Sequence, residues 1–370
     1  MEYERLSTLT NAMAAQPAGT DFARFCWTLL HTRGDVRKAE AIAAERFTQH
    51  APNVVRATKA AISAIDTTSP GFTNDISWRG ISGEILSMVS TQTVLGRLRG
   101  MRRVPFDVPV LTELSPATAQ WVGQGRAKPL STFALNSTTL QLSKIVAMVV
   151  FSNELADEFS PATLQSIIAS TVGSLAKFAD EGFLDPSLAA IAGERPASIT
   201  FGITPTASSG SSASAISADL RDALARMISA GSDLSGAAIV VHPATALYLS
   251  SLSLASGGLA FPSMGVGTSA PASVWGIPIL ISLACETFGS PNQRSIVVID
   301  AKKLLVADDG RVGVDSSRQA SMQMVTNPSD GATQAVSLWQ LNLQCLKIER
   351  YISWARSHDS AVAIINNVTY

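Results

Sequence analysis

The stretch from Trp121 to Asp185 constrains this chain most. It opens with Trp121-Val-Gly-Gln-Gly125, runs through a long apolar/polar alternation and turns helical at Ser160-Pro161. Ser131–Leu135 and Thr139–Phe151 alternate with period two, which predicts the two strands of a long hairpin. Ser160 is placed to cap a helix, with Pro161 at its first position, where a missing N–H costs nothing. Leu164, Ile167, Ile168, Thr171, Leu175 and Ala179 then share one face at helical spacing. A two-stranded arm buries too little to be stable alone in water. Something outside the arm has to cover it, and that points to assembly before catalysis.

Composition agrees. A chain of 370 residues suits two packed modules with extensions. Its residues are 46% hydrophobic but only 15% charged, below the roughly 25% of ordinary domains. Apolar-rich, charge-poor chains hide surface in oligomers. No run is long and apolar enough to predict a membrane span, and Met1–Arg5 lacks the apolar core of a secretory signal. A net charge of −1 marks no general affinity for nucleic acid. Locally, Arg97, Arg99, Arg102 and Arg103 form a basic cluster. It suits either phosphates or salt bridges to a neighbouring subunit, and the second is the plainer reading. Cys26, Cys285 and Cys345 are scattered and read as core residues of a reducing compartment.

Residues 1–66 look separate: an amphipathic stripe at Phe22, Phe25, Cys26, Leu29 and Leu30, a break at Arg33-Gly34-Asp35, a helix over Val36–Phe47, and a third helix capped at Asn53. A turn-rich linker follows at Asp66–Gly71. The Ser- and Ala-rich residues Thr204–Ser217 suggest a mobile connection, with Ser217 capping the next helix. Ala237–Val241, Ile277–Ile281, Ser295–Ile299 and Leu304–Val306 are expected strands, and Asp309-Gly310 a tight turn. Trp339 to Cys345 alternates on odd positions and Leu346 to Trp354 on even ones, which predicts a β-bulge at Cys345-Leu346. Ala361–Ile365 supplies a last strand.

Motifs for chemistry are scarce. There is no nucleophile elbow, no zinc-protease helix, no C-x-x-C and no phosphate loop. His31, His50, His242 and His358 lie far apart, and His242 before Pro243 reads as a hydrogen-bonded structural histidine. Asp180-Glu181 and Asp308-Asp309 are adjacent carboxylates whose side chains do not converge. No catalytic, cofactor-binding or metal-ligating residue is assigned.

Four places, taken in order, resemble the major capsid proteins of tailed bacteriophages, the family with the Hong-Kong-97 fold. Trp121–Gly125 with Ser131-x-Phe133 resembles the start of the extended E-loop. Val149–Glu158, the Pro161 helix and Glu181–Asp185 are similar to the spine-helix region of the peripheral domain. Ile239–Pro243 and Trp275–Pro278 resemble the axial domain, and Lys347–Trp354 with Ala361-Val-Ala the C-terminal strand pair. The resemblance covers roughly residues 70–370. It implies an α+β fold divided as N-terminal helical arm or scaffold-like segment (1–66), N-arm and linker (67–103), E-loop (104–150), peripheral domain with spine helix (151–210), axial domain (211–330) and peripheral C-terminal strands (331–370). It further implies an icosahedral head shell of pentamers and hexamers in the virion, assembled in the bacterial cytoplasm. That shell encloses double-stranded DNA without sequence specificity, with portal and scaffolding or decoration proteins as partners and no membrane or cofactor. Trp121, Arg126, Lys128, Phe133 and Leu142 are the expected subunit contacts of the E-loop. Many relatives lose an N-terminal segment on maturation, whereas the short segment here is expected to stay attached. Some relatives cross-link an E-loop lysine to an asparagine, parts for which Lys128 or Lys144 and Asn366 or Asn367 are the candidates. An encapsulin-type compartment shares the fold, and a soluble α/β enzyme is the reading that the missing motifs disfavour.

Overall fold

The computed structural model describes residues 19–32, 35–60, 83–115, 121–126, 134–158, 160–254, 257–264, 272–286, 293–323 and 335–370. The expected linker at 66–71 lies outside them. The described elements begin with helices α1 (Thr20–His31), α2 (Val36–Phe47), α3 (Pro52–Ala60), α4 (83–92) and α5 (Val94–Arg97). Strands β1 (Arg102–Arg103), β2 (Pro109–Ser115), β3 (Ala134–Thr139) and β4 (Lys144–Ser152) follow, then helices α6 (Asn153–Glu158) and α7 (Pro161–Leu184). Next come β5 (Thr206–Ala207), α8 (Ala213–Ser229), β6 (Ala237–Val241), α9 (Pro243–Ser251), β7 (Ser273–Val274) and β8 (Ile277–Ile281). The chain ends with β9 (Arg294–Asp300), β10 (Leu304–Ser317), β11 (Ser321–Gln323), β12 (Ala335–Ser337), β13 (Leu343–Arg356) and β14 (Val362–Val368). The architecture is mixed α+β, in two compact units.

One unit comprises Met1–Thr91, Ile145–Leu175 and Gly310–Arg350. Its core joins the N-terminal helices to the start of the long helix: Phe22, Phe25, Trp27 and Val54 pack in one cluster with Phe151, Leu164, Ile168 and Leu346. The expectation of a separable head therefore meets a different arrangement, because α1–α3 supply much of this unit's interior. Arg46 lies over the Trp27 ring at 5.1 Å, and the Trp27 and His31 rings stack at 4.6 Å. Asp35 caps α2 by accepting from the Arg37 and Lys38 amides at 3.1 and 3.2 Å. The third helix starts at Pro52, ahead of the expected cap at Asn53. Ser160 caps α7 as its position predicts, accepting from the Thr163 amide at 3.1 Å.

The other unit comprises Gln92–Lys144, Ala176–Asp309 and Tyr351–Tyr370. Its centre is a six-stranded sheet of order β5-β14-β9-β6-β8-β7. β6 pairs antiparallel with β9 and parallel with β8, and all five of its residues are buried. One face of the sheet packs on Ile216, Leu220, Leu224 and Met227 of α8. That helix starts at Ala213, five residues before the expected start, because Ser212 and not Ser217 caps it through the Ala215 amide at 3.2 Å. The Ser-rich residues ahead of it are tied down: Ser209 bonds Asp219 through both its amide and its hydroxyl, at 2.9 and 2.7 Å, and β5 pairs with β14.

A four-stranded sheet has the order β1-β10-β13-β4. Two expectations fail here. Asp309-Gly310 makes no turn; β10 passes straight through, with Gly310 at φ +65°, a value its missing Cβ permits. Nor does β13 change phase at Cys345, since even positions from 344 to 354 are buried throughout. Trp339 and Leu341, read as inward strand residues, lie exposed in a turn before it.

Candidate assembly surface

The strand that pairs in the projecting hairpin is not the one the alternation selects. β2 pairs antiparallel with β3, from Pro109↔Thr139 to Ser115↔Ala134, with a register shift between Glu113 and Ser115. β4, the larger part of the stretch expected as the second arm, belongs to the four-stranded sheet, and residues 140–143 separate it from β3. Among the described residues the β2–β3 ribbon is a two-stranded sheet with no third strand.

Side chains alternate across a strand, so the ribbon has two faces. Val110 and Thr112 are buried on one, at 7% and 4% exposure. On the other, Leu111 stands opposite Ser137, with Leu135 its diagonal neighbour, and these leucines are 59% and 50% exposed. Beyond the ribbon, Trp121 is fully exposed, and Val122 and Arg126 are exposed in part. Lys128 and Phe133 lie outside the described residues. Leu142 is half exposed, but it sits in the connection after β3 and not on the ribbon.

The root of the ribbon is fastened. Leu140 is buried against Leu305 and Ala307, with Val104, Phe106 and Ala355 packed around them. Its carbonyl accepts from the Asp107 amide at 2.8 Å, and the Ser143 carbonyl accepts from the Ile352 amide at 3.0 Å. Gln141 Oε1 accepts from the Gly193 amide at 3.2 Å, at the tip of a tight turn closed between Ile191 and Arg195. A cleft of about 600 Å³ opens beside this root, lined by residues that include Asn136, Gln141, Arg195, Trp354, Arg356 and His358.

The four arginines do not act as one patch. Arg97 is half-buried: Nη2 donates to the Ile281 carbonyl at 2.7 Å, and Nε donates to the Thr93 carbonyl at 3.3 Å. Burial, opposed by the charge of Asp180, lowers its pKa from the ordinary guanidinium value. Arg102 Nη1 reaches the Leu111 carbonyl of β2 at 3.4 Å. Arg103, the next strand residue, faces the opposite side of β1. Arg99 and Arg103 remain exposed.

A residue set aside from sequence proves to be a junction. Asp180 on α7 is 4% exposed; Oδ1 accepts from the Val94 amide at 2.7 Å and Oδ2 from the Ser282 hydroxyl at 2.8 Å. Burial raises its pKa, while the bonds from Ser282 and Val94 and the charge of Arg97 pull it back. A signal existed: Asp180 falls on the helix face that carries Ala176 and Phe183, so a charge interrupts an apolar stripe. The histidines have structural work. His242 caps α9 through the Ala244 amide at 3.2 Å, and His358 Nδ1 accepts from the Ser360 amide at 3.0 Å. All three cysteines are buried thiols.

Comparison with known proteins places these features. The sequence pattern of the phage capsid family matches residues 78–329, more than half of the chain. A capsid polyprotein of Pseudomonas phage PAJU2 is 33% identical over 332 residues, covering 85% of this chain. The chain spans about half the length of that relative, 48% of it. Among solved structures, a chain from Mycobacterium phage Ogopogo shares the fold with a TM-score of 0.54 at 19% identity, over 75% of this chain and 92% of that one. The capsid of an empty GTA particle computed with C5 symmetry matches with a TM-score of 0.50 at 14% identity, over 74% of this chain and 89% of that one. The chain belongs to the phage capsid family.

Proposed function

We propose that the β2–β3 ribbon is the E-loop through which copies of this chain hold one another in the pentamers and hexamers of an icosahedral shell around double-stranded DNA. The observation that carries this reading is the ribbon's two-sidedness. On one face Val110 and Thr112 are buried by the subunit itself, while the other presents Leu111 and Leu135 half exposed. Burying the exposed half of those leucines on a neighbour stabilises the contact by roughly 1 kcal/mol per side chain, about half the full-burial value. Repetition by symmetry makes weak contacts sufficient. Trp121, Val122 and Arg126 extend the same contact toward the tip, and Arg99 and Arg103 remain to meet phosphate or a neighbour. The unit with α8, α9 and the six-stranded sheet corresponds to the axial domain, and α7 to the spine helix.

The N-terminal helices stay with the mature shell in this reading, since removing them strips Phe22, Phe25 and Trp27 from a shared core. Portal and decoration proteins join at surfaces that the chain itself does not define. An encapsulin-type compartment is the second reading of the fold; particles holding a protein cargo and no DNA would establish it.

The double change Leu111→Asp, Leu135→Asp tests the ribbon. Subunit stability should change by no more than about 1 kcal/mol, because both positions are exposed. Shells should disappear from electron micrographs of the purified protein. Normal shells from the double variant would reject the ribbon as a subunit contact. Denaturing electrophoresis of particles should give a monomer band, in line with non-covalent assembly.

A further inference from the structure

We propose that Asp180 is the positioning residue for the assembly ribbon: it clamps the strap that leads into the ribbon onto the long helix and the sheet, and so fixes the direction in which the ribbon projects. This rests on the reading of the ribbon as a subunit contact.

Three other acidic or capping positions show what an ordinary buried or turn aspartate does here. Asp185 accepts from Ser187, two residues away, and closes the turn after α7. Asp233 serves Ser235 in the same way. Asp300 caps the turn at Lys302 and also takes the Ser232 hydroxyl. For Asp185 and Asp233 the work is local, and Asp300 combines a local cap with one distant donor. Asp180 has no such local task, for its partners Val94 and Ser282 are 86 and 102 residues distant. One carboxylate therefore joins α7, the start of α5 and the turn after β8.

From that junction a continuous set of contacts runs to the ribbon. Val94 opens α5, whose last residue Arg97 is bonded to Ile281 beside Ser282. Leu98 is buried. Arg102 and Arg103 then pair with Leu305 and Val306, and the Val104 amide donates to the Val306 carbonyl at 2.9 Å. Arg102 finally reaches Leu111 of β2. Hydrogen bonds mark the two ends of this path, at Val94–Arg97 and at Arg102–Val104, and the buried Leu98 lies between them, so a shift at Val94 is passed toward the ribbon's root. A buried carboxylate is also a poor way to gain stability, because its desolvation opposes the bonds it makes. What it supplies is direction: two donors from two elements must converge on one small group, which apolar packing does not demand. Arg97 and Glu181 are the charged groups that act on it, and the buried Cys285 thiol feels its charge.

The experiment compares full-length wild type with Asp180→Ala, Asp180→Asn and Ser282→Ala. Three readouts are needed: thermal unfolding, tryptic cleavage after Arg99, Arg102 and Arg103, and the yield of closed shells by electron microscopy. Asp180→Ala removes both acceptor atoms. It should speed cleavage at these arginines about tenfold and cut shell yield by a similar factor, ahead of any global unfolding. Asp180→Asn retains an acceptor for Val94 and the side-chain volume, and it should restore both toward wild type. Ser282→Ala, which removes one arm, should fall between, and it decides the matter if the alanine variant fails to fold. Unchanged cleavage in the folded variants overturns the clamp. Faster cleavage with normal shells overturns the ribbon's role and this proposal with it. Failure of Asp180→Asn to rescue overturns the positioning role, whereas normal shells from Leu111→Asp, Leu135→Asp would reject the underlying reading on its own.

Discussion

The six-stranded sheet and the β2–β3 ribbon lie in the same unit and obey the same strand geometry, yet only one of them is finished. β6 has a partner on each side and no exposed residue; its Ala-Ala-Ile-Val-Val sequence is apolar on both faces. The ribbon has two strands, and its Leu111 and Leu135 face outward. A sheet that closes on its own chain can be judged by its own contacts. In the reading proposed above, a ribbon that buries one face and presents the other is half of an interface whose missing half is another copy. Stability and assembly should therefore fail separately when each is disturbed.

The largest expected effect is on the finished region. Val240→Asp puts a carboxylate at a fully buried position in the middle of β6. With no partner for the charge, the cost is on the order of 4 kcal/mol or more, enough to remove soluble subunit. The same charge at Leu111 should leave the subunit folded. Circular dichroism and soluble yield check the pair: if both variants fold equally well, or neither does, the distinction between closed sheet and open ribbon is broken.

The N-terminal helices sharpen the comparison, because from sequence they resemble the ribbon as an appendage, whereas their contacts resemble the sheet. Trp27 is buried between Phe47 and His31, under Arg46. Trp27→Ala should destabilise that unit by about 3–5 kcal/mol, as for other buried large-to-small changes. A loss below about 1 kcal/mol, the scale of an exposed site, would return these helices to the status of a detachable arm.

Local signals were legible where a local cause dominates. Ser160-Pro161 starts a helix, Val36–Phe47 forms another, and Ala237–Val241 reads directly as a buried strand. The errors share a cause in tertiary context. The alternation of Thr139–Phe151 is real over β4, but periodicity does not name a partner, and β4 pairs in a different sheet. The true partner, Pro109–Ser115, carries a proline, a glutamate and a serine and is joined to β3 by a long connection with no tight-turn dipeptide. Asp309-Gly310 is a strong turn signal, yet β10 overrides it by accepting the positive φ of Gly310 within the strand. Ser212 and Ser217 are chemically equal as caps, and only the packing of α8 chooses between them. At the candidate site Trp121 was named and is exposed, whereas the pair Leu111 and Leu135 and the junction at Asp180 required knowing which residues meet across long sequence separations.

The smallest effect lies at His242, at the end of the finished sheet's central strand. His242 caps α9 with a ring nitrogen that must be unprotonated to accept from Ala244. Burial first, and then the charge of Arg294, lower its pKa from the ordinary 6.5, with Glu286 opposing. A base with a lowered folded pKa adds stability above its unfolded value and loses it as pH falls through the folded one. Acidifying below about pH 6.5 should therefore weaken the unit, by less than the roughly 1 kcal/mol of a single cap. His242→Asn keeps a capping oxygen without the titration, so its melting temperature should vary less between pH 7 and pH 5 than that of wild type. Carboxylates elsewhere titrate alike in both proteins and cancel in the difference. An identical pH profile for the two would show that the cap does not depend on the neutral ring.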